Sequence, residues 1–464
     1  MLFPLLSSAF PMPSVYIKTY GCQMNERDSE QVAYMFVSSG YSLARNEDEA
    51  DVVLMNTCAV REKAELKALG KMGMLASRRD APGHVVYGIM GCMAQNRREE
   101  LFREIPRLDL VVGTQKYHRV FELADTLLQR RLHSAESVNK GQHLSETAEE
   151  KDAQNAIRNH LPRPAQASAF VSIMQGCGMN CSYCIVPATR GAERSRPAAE
   201  ILDEVRRLAA QGVREVTLLG QIVNLYGKGE PLVGGRTAFV RLLEALNDIE
   251  GIARLRFTSP HPIGFGRDLV DAYRRLPKLC SHIHFPVQSG SDRILKLMRR
   301  PYRNEKYLRI CDQLREARPD LAITTDIIVG FPGETDEDYL ETKRLVERVQ
   351  FDNAFIFQYS PRKDTLAAVM PGQIPPRLKA ARNHDLLQTV NAIAVSKNAR
   401  LVGTVQEVLV EGPSKGNAKK LSGRTPQNKT VILEGPPDLA GQIVPVRIAE
   451  STGFTLYGSP SKGR

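Results

Sequence analysis

Cys177, Cys181 and Cys184 form a C-x-x-x-C-x-x-C run directly after AFVSIMQ, an apolar stretch that reads as a strand. Three thiolates in one tight loop can hold three corners of a four-iron, four-sulfur (4Fe-4S) cluster. The fourth iron then stays open to a small molecule, as catalytic metal sites keep a free position. A three-thiolate zinc site would need a fourth His or Cys close by, and between Gly176 and Ala199 there is none besides these three cysteines. Three further cysteines share no compact motif. Cys22 follows VYIKTYG, Cys58 follows DVVLMNT and Cys92 follows VVYGIMG, so each lies just past a predicted strand. In an open parallel sheet the carboxyl ends of the strands face one crevice, where these three could converge on a second cluster. The competing reading is three buried cysteines, a common fate of this residue. Core cysteines should fall inside strands or helices, as Cys311 does in EKYLRICDQLREA. Cys280, just before a strand, also reads as core.

The elements that must position these residues fall into three parts. Residues 13–131 alternate short apolar runs with helical patterns: helices over Asp28–Ser39, Ala64–Ala76 and about Gln95–Glu104 separate VYIKTY, DVVLMN, VVYGIM and LDLVVG. That alternation predicts an α/β domain with a doubly wound parallel sheet. Residues 132–165 are polar, end on Pro162 and Pro164, and read as a linker. Residues 166–398 repeat the strand–helix unit six times, with strands in AFVSIMQ, REVTLLGQ, RLRFTS, HIHFPVQ, LAITTDIIVG and NAFIFQYS. A closed eight-unit barrel takes roughly 250 residues. Six units predict a partial (β/α)6 barrel with an open side. Ile201, Val205, Leu208 and Ala209 share a helix face, and Thr335 with Asp338 makes a capping box. Residues 399–462 change to short β-type runs broken by Gly, Pro and Asn, the pattern of a small antiparallel β-barrel.

Composition limits the partners. The 464 residues carry 63 Lys+Arg against 52 Asp+Glu, a formal charge of +11 that favours a polyanion such as nucleic acid. Lys415, Lys419, Lys420, Arg424 and Lys429 stand in a stretch without any acid between Gly412 and Leu433, and read as phosphate contacts or as a solvated loop. No run reaches the roughly 20 apolar residues of a membrane span, so no membrane is expected. The apolar opening MLFPLLSSAFPMP lacks a basic start and contains Pro4. It reads as a start placed upstream of Met12 rather than as a signal peptide, and the cytoplasm is the expected compartment.

The cysteine loop resembles that of the radical S-adenosylmethionine (SAM) superfamily. The motifs TYGCQMNERDSE, NTCAVREKAE, GCMAQ, GCGMNCSYCIVPATRGAERSR, HFPVQSGSDRILKLMRRPY, TTDIIVGFPGET and VEGPSKGNAKKLSGRTPQNKTV together resemble the methylthiotransferase family from about Met12 to Gly458. The GCQMN form is similar to the branch acting on N6-dimethylallyladenosine of tRNA. It differs from branches acting on threonylcarbamoyl-adenosine or on a protein side chain. Ile222 and Gly178 depart from the family pattern without touching a cysteine.

The resemblance implies SAM and two 4Fe-4S clusters as cofactors, one on Cys177, Cys181 and Cys184 that chelates SAM, and an auxiliary one on Cys22, Cys58 and Cys92. Cleavage of SAM would give a 5′-deoxyadenosyl radical that takes hydrogen from carbon 2 of adenosine 37. The auxiliary cluster would supply sulfur and a second SAM the methyl group. The chemistry is cofactor-driven, with no catalytic acid or base expected. A C-terminal TRAM domain would hold the anticodon stem-loop, whose unpaired purine is cheaper to extrude than a duplex base. An electron donor such as flavodoxin or ferredoxin is implied, and a monomer is expected. Tyr183 packs either against the SAM adenine or within its own loop. Arg190, Arg194 and Arg196 hold RNA, the SAM carboxylate or salt bridges. The nearest alternative is the same chemistry on threonylcarbamoyl-adenosine of tRNA or on a protein side chain, and the reading of another class is a non-catalytic iron–sulfur sensor that binds RNA.

Overall fold

A computed structural model describes residues 12–59, 62–78, 82–133, 143–150, 159–161 and 166–461. The expectations about the chain start before Met12 and most of the polar linker lie outside these residues. The chain divides into two compact units, residues 1–162 with 185–192, and residues 163–184 with 193–464. Among the described residues no helix is long and apolar enough to cross a membrane.

The first unit is built on β1 (Ser14–Tyr20), β2 (Ser42–Leu43), β3 (Val52–Thr57), β4 (Val86–Gly91), β5 (Leu110–Val112) and β6 (Leu144–Glu146). They form one sheet in the order β2-β1-β3-β4-β5-β6, every pair parallel. All six residues of β3 are buried, as expected of a central parallel strand covered on both faces. Val32, Phe36, Leu123 and Leu127, from helices Gln23–Ser38 and Val120–His133, pack with Val52, Leu54 and Val86. Val53, Met55, Ile89 and Val111 instead meet Ala68 and Met72 of helix Glu62–Ala76. Two expectations need correction. The first helix starts at Gln23 and not at Asp28, because Cys22 itself serves as its N-cap. Within the stretch read as linker, Leu144–Glu146 adds the sixth strand. Three residues with one apolar side chain carry no periodicity to betray it.

The second unit contains β7 (Ser168–Ser172), β8 (Met174–Gln175), β9 (Arg194–Ser195), β10 (Glu215–Leu219), β11 (Arg254–Phe257), β12 (His282–His284), β13 (Ala322–Val329) and β14 (Asn353–Gln358). Each of the six predicted barrel strands is present. They pair in parallel as two groups of three, β11-β10-β7 and β12-β13-β14, with β7 and β14 unpaired to each other. This is an unclosed six-stranded α/β arc. Its core includes Ile201, Val205 and Leu208 of helix Ala198–Ala210. The capping box forms as expected, with Asp338 N donating to Thr335 Oγ1 (3.3 Å) and Thr335 N to Asp338 Oδ2 (2.8 Å). Cys280 and Cys311 are buried, as expected, and burial pushes their thiols up to about 11 and about 12.

The same unit ends in a closed barrel, β15 (Val405–Ser414), β16 (Asn417–Arg424), β17 (Thr430–Leu433), β18 (Ile443–Ser451) and β19 (Thr455–Pro460), in the order β15-β16-β17-β19-β18. One pair, β17 with β19, runs parallel, so the barrel is not wholly antiparallel. Strand β16 was read only as a basic stretch; its lysines face outward while Leu421 enters the small core with Val408, Val431 and Leu456. Buried arginines of β11 fasten this barrel. Arg254 donates to the carbonyls of Arg424 (2.7 Å) and Glu407 (3.0 Å), and Arg256 to those of Thr425 (2.7 Å) and Pro426 (3.0 Å). Arg256 also pairs with Glu215 at 2.8 Å.

Candidate active site

The register of the first sheet brings Cys22, Cys58 and Cys92 together. Thr57 stands opposite Tyr20 on one side and Gly91 on the other. Cys58 and Cys92 therefore leave level strand ends and Cys22 follows one residue later. Neighbouring parallel strands lie about 4.8 Å apart. In the order β2-β1-β3-β4 successive strands are added to one side of β1 and then to the other, so the switch point, where open α/β sheets bind ligands, lies between the parallel strands β1 and β3. Cys58 and Cys92 are buried and Cys22 is half-buried.

Two asparagines brace this end of the sheet. Asn25 Oδ1 accepts from Cys22 Sγ (3.3 Å), while Asn25 Nδ2 donates to Asn56 Oδ1 (2.9 Å). Asn56 Nδ2 returns to Asn25 O (2.9 Å) and Ser29 Oγ (3.1 Å). Gly91, at φ 101°, has no room for a side chain: a Cβ there would stand 2.3 Å from Asn56 Oδ1. A hydrogen bond with Cys58 brings the Cys22 thiol down to about 5 against the opposing effect of burial, and the Arg190 charge adds to the lowering. Cys22 also heads a 16-residue helix, whose N-terminus favours thiolate. Cys92 is pushed up by burial.

In the second unit, β8 delivers Gly176, at φ 79°, and then Cys177. Cys177 Sγ accepts from Met179 N at 3.4 Å. Ser182 rivets the loop: its hydroxyl donates to Leu297 O (2.8 Å), its N–H to Met298 O (3.1 Å), and its carbonyl accepts from Ala367 N (2.8 Å). Arg300 Nη1 reaches Cys181 Sγ at 3.5 Å, while its Nε donates to Tyr302 Oη at 3.4 Å. Tyr183 lies edge-on to Phe331, centroids 6.4 Å apart, against the cluster of Ile294, Met298 and Tyr359. Arg196 pairs with Glu204 at 2.7 Å and Arg190 with Asp28 at 2.7 Å. Asn25, Asn56, Ser182 and Arg300 were not singled out from sequence. Their signal was position alone, at fixed places inside cysteine motifs or in MRRPY.

Each thiol set fits an iron–sulfur cluster. Each offers three soft sulfur donors with an arginine close by, and the first holds a thiol already inclined to ionise. Among the described residues no set of three His, Cys, Asp or Glu could hold a single metal ion. Cluster thiolates bind separate irons, so they need not crowd as ligands of one ion do.

His261 buttresses this unit just beyond β11. Its Nδ1 accepts from Ile263 N (3.1 Å), its ring meets Tyr302 edge-on at 5.4 Å, and Nε2 is buried without a partner. Burial, with Arg300 and Lys306, lowers its pKa to about 2. The unfolded chain, with an ordinary histidine near 6.5, therefore takes up a proton first as the pH falls. Stability should be full above pH 6.5 and about 2 kcal/mol lower at pH 5 from this group alone. Denaturant titrations at pH 7.5 and 5.0 should show a drop smaller by that amount in His261→Asn; equal drops refute the assignment.

The five basic residues of the last domain differ in freedom. Lys415 and Lys419 are exposed. Lys420 lies 3.4 Å from Glu434, and Arg424 donates to Glu411 (3.2 Å) and Asn428 (3.1 Å). Lys429 is committed to Asp352 (3.1 Å) and Asn398 (2.8 Å).

An unclosed α/β arc with three thiols in the loop after its first strand defines a protein of the radical SAM class, and residues 171–346 match the model of the radical SAM superfamily. Residues 14–113 match an uncharacterized protein family, UPF0004, and residues 399–460 a TRAM domain. The chain belongs to the family of tRNA-2-methylthio-N(6)-dimethylallyladenosine synthases. It is 65% identical over 457 residues to the protein of that name from Akkermansia muciniphila, covering 98% of this chain and 100% of the relative. With that from Methylacidiphilum infernorum it shares 53% over 450 residues, 97% and 95% of the two chains. In fold it is similar to the radical SAM methyltransferase TsrM from Kitasatospora setae, solved with cobalamin and a [4Fe-4S] cluster (TM-score 0.54, 12% identity, covering 86% of this chain and 81% of that one).

Proposed function

We propose that this chain is a radical SAM transferase that methylthiolates carbon 2 of N6-dimethylallyladenosine in tRNA, at position 37 of the anticodon stem-loop. Family membership supports the substrate, and the observation that carries the two-cluster reading is the placement of Cys22, Cys58 and Cys92 just past neighbouring strands at one sheet end. Cys177, Cys181 and Cys184 hold the 4Fe-4S cluster that binds SAM; Cys22, Cys58 and Cys92 hold a second. When bound, the first cluster and SAM supply a 5′-deoxyadenosyl radical, and the second cluster supplies sulfur. Inserting sulfur at an unactivated C–H bond lies beyond acid–base catalysis. The protein's own part is to hold: Ser182 fixes the first thiol loop, Arg300 donates to Cys181, and the Asn25–Asn56 pair sets the start of the Cys22 helix. The division 13–131 (auxiliary cluster), 166–398 (radical SAM) and 399–462 (TRAM) organises these roles, with Leu144–Glu146 of the stretch between the first two joined to the first sheet. A flavodoxin- or ferredoxin-type donor, a cytoplasmic setting and a monomer complete the reading.

The test is anaerobic reconstitution and turnover with SAM, a reductant and a dimethylallylated anticodon stem-loop. Both 5′-deoxyadenosine and the methylthio-nucleoside are expected by mass spectrometry. Product only from a threonylcarbamoylated loop would overturn the substrate. RNA binding with no 5′-deoxyadenosine would favour the sensor.

For RNA contact, Lys415 and Lys419 are the residues with charge to give. Each neutralised phosphate contributes a slope near −0.7 to −0.9 in log K against log salt. Lys415→Ala with Lys419→Ala should weaken tRNA binding and flatten that slope by about 1.5. Lys429→Ala should act through stability, because its ammonium already serves Asp352. An unchanged salt slope in the double variant sinks the role given to the two lysines.

A further inference from the structure

Arg190 ends the short helix Val186–Arg190, six positions after Cys184, yet residues 185–192 pack as part of the first unit. There Ile185 joins Ala59 and Cys92 in a small apolar cluster, and Thr114 Oγ1 donates to the carbonyl of Thr189. Arg190 is only 2% exposed. Its Nη2 stands 2.7 Å from Asp28 Oδ2, but neither Nη1 nor Nη2 completes a hydrogen bond. A guanidinium carries five N–H donors and stays charged at any working pH. One carboxylate cannot satisfy that fork, and buried cations without acceptors are costly. Besides Asp28, the groups acting on the guanidinium are the Tyr117 phenol and the sulfurs of Cys22 and Cys92. A buried cation with donors to spare thus sits on the segment whose Ile185 packs against Cys92, in the unit that holds all three thiols.

We propose that Arg190 is a positioning and charge-compensating residue for the cluster on Cys22, Cys58 and Cys92, donating its spare guanidinium N–H groups to the cluster's sulfur atoms while Asp28 holds the fork. The inference rests on the reading of those three cysteines as a cluster site. Net charge and hydrogen bonds to sulfur set the potential of such clusters. Reduction adds an electron to a buried anion, so a cation in hydrogen-bond reach favours the reduced form. The neutral Asn25 and Asn56 side chains supply no such charge.

The test uses the full chain carrying Cys177→Ala, Cys181→Ala and Cys184→Ala, so that the Cys22 site alone can load, reconstituted anaerobically with iron and sulfide. Cluster occupancy at limiting iron and the midpoint potential are compared for this parent, Arg190→Met, and Arg190→Met combined with Asp28→Asn. Loss of Arg190 should cut occupancy at least threefold. In the fraction that loads, the oxidised-to-reduced ratio at fixed potential should rise tenfold, a negative shift of about 59 mV for one electron. In the mirror background, Cys22→Ala with Cys58→Ala and Cys92→Ala, Arg190→Met should leave loading of the other cluster unchanged. Thermal melts of the unloaded chains report folding. The double variant removes the orphaned carboxylate, so it keeps the test alive if Arg190→Met alone fails to fold. A purely structural ion pair predicts that the double variant regains the parent's loading and potential, and that result would overturn the inference. A parent that loads no cluster would instead refute the cysteine reading, and the inference with it.

Discussion

Replacing any one of Cys177, Cys181 or Cys184 with Ala should abolish formation of 5′-deoxyadenosine, by about a thousandfold or more, while tRNA binding persists. Three thiolates hold three irons so that the fourth stays open, and with two thiolates the cluster has no defined open corner. The loop offers no substitute donor: Met179 gives its backbone N–H to Cys177, and Ser182 is spent on Leu297. Iron should fall by about four atoms per chain, one cluster's content. Chromatography of SAM cleavage products, iron analysis and a tRNA binding assay read the three effects together. Cleavage at near-parental rate in Cys181→Ala would remove this loop from the radical step. Cys280→Ala and Cys311→Ala are the controls, since both thiols are buried in ordinary packing and should leave cleavage intact.

The placement of the cysteines was legible because they obey a local rule. A cysteine just past an apolar run needs only the assumption of parallel strands to be placed, and the register of Tyr20, Thr57 and Gly91 supplies that placement. The six barrel strands were legible for a related reason, being apolar runs separated by well-patterned helices. What sequence hid were partners fixed by tertiary distance. Arg190 follows Cys184 by six residues and reads as part of that loop, but its carboxylate partner, Asp28, is 162 positions upstream. Asn25 and Asn56 lie 31 residues apart and pair only because β1 and β3 are neighbours. The basic stretch failed differently. Five cations without an intervening acid look equivalent in sequence, whereas folding brings Glu434, Glu411 and Asp352 to three of them and leaves Lys415 and Lys419 in solvent. Net charge locates a surface; only packing separates cations left in solvent from cations that hold the barrel.

Cys58→Ala should separate the two halves of the reaction: 5′-deoxyadenosine continues to form, and the methylthio-nucleoside falls below about one part in a hundred of the parental yield. The argument starts from where Cys58 sits. It is 3% exposed, immediately follows Thr57 in the middle row of the sheet end, and shares a hydrogen bond with Cys22. Its loss removes one corner of the second cluster and the hydrogen bond that lowers the Cys22 thiol, so the remaining pair is incomplete and Cys22 ionises less readily. None of the residues that shape the other loop, Ser182, Arg300 or Tyr302, belongs to this sheet, so SAM cleavage has no structural reason to fail. A cleavage-only phenotype also distinguishes sulfur delivery from electron relay. A relay cluster that feeds the first would, on removal, suppress 5′-deoxyadenosine when reduction must pass through it. Adding a strong chemical reductant would then restore product. Under the sulfur-donor reading the reductant restores nothing, because the missing component is the sulfur itself. Methylthio product at parental level from Cys58→Ala, with either reductant, would end the donor role of this site.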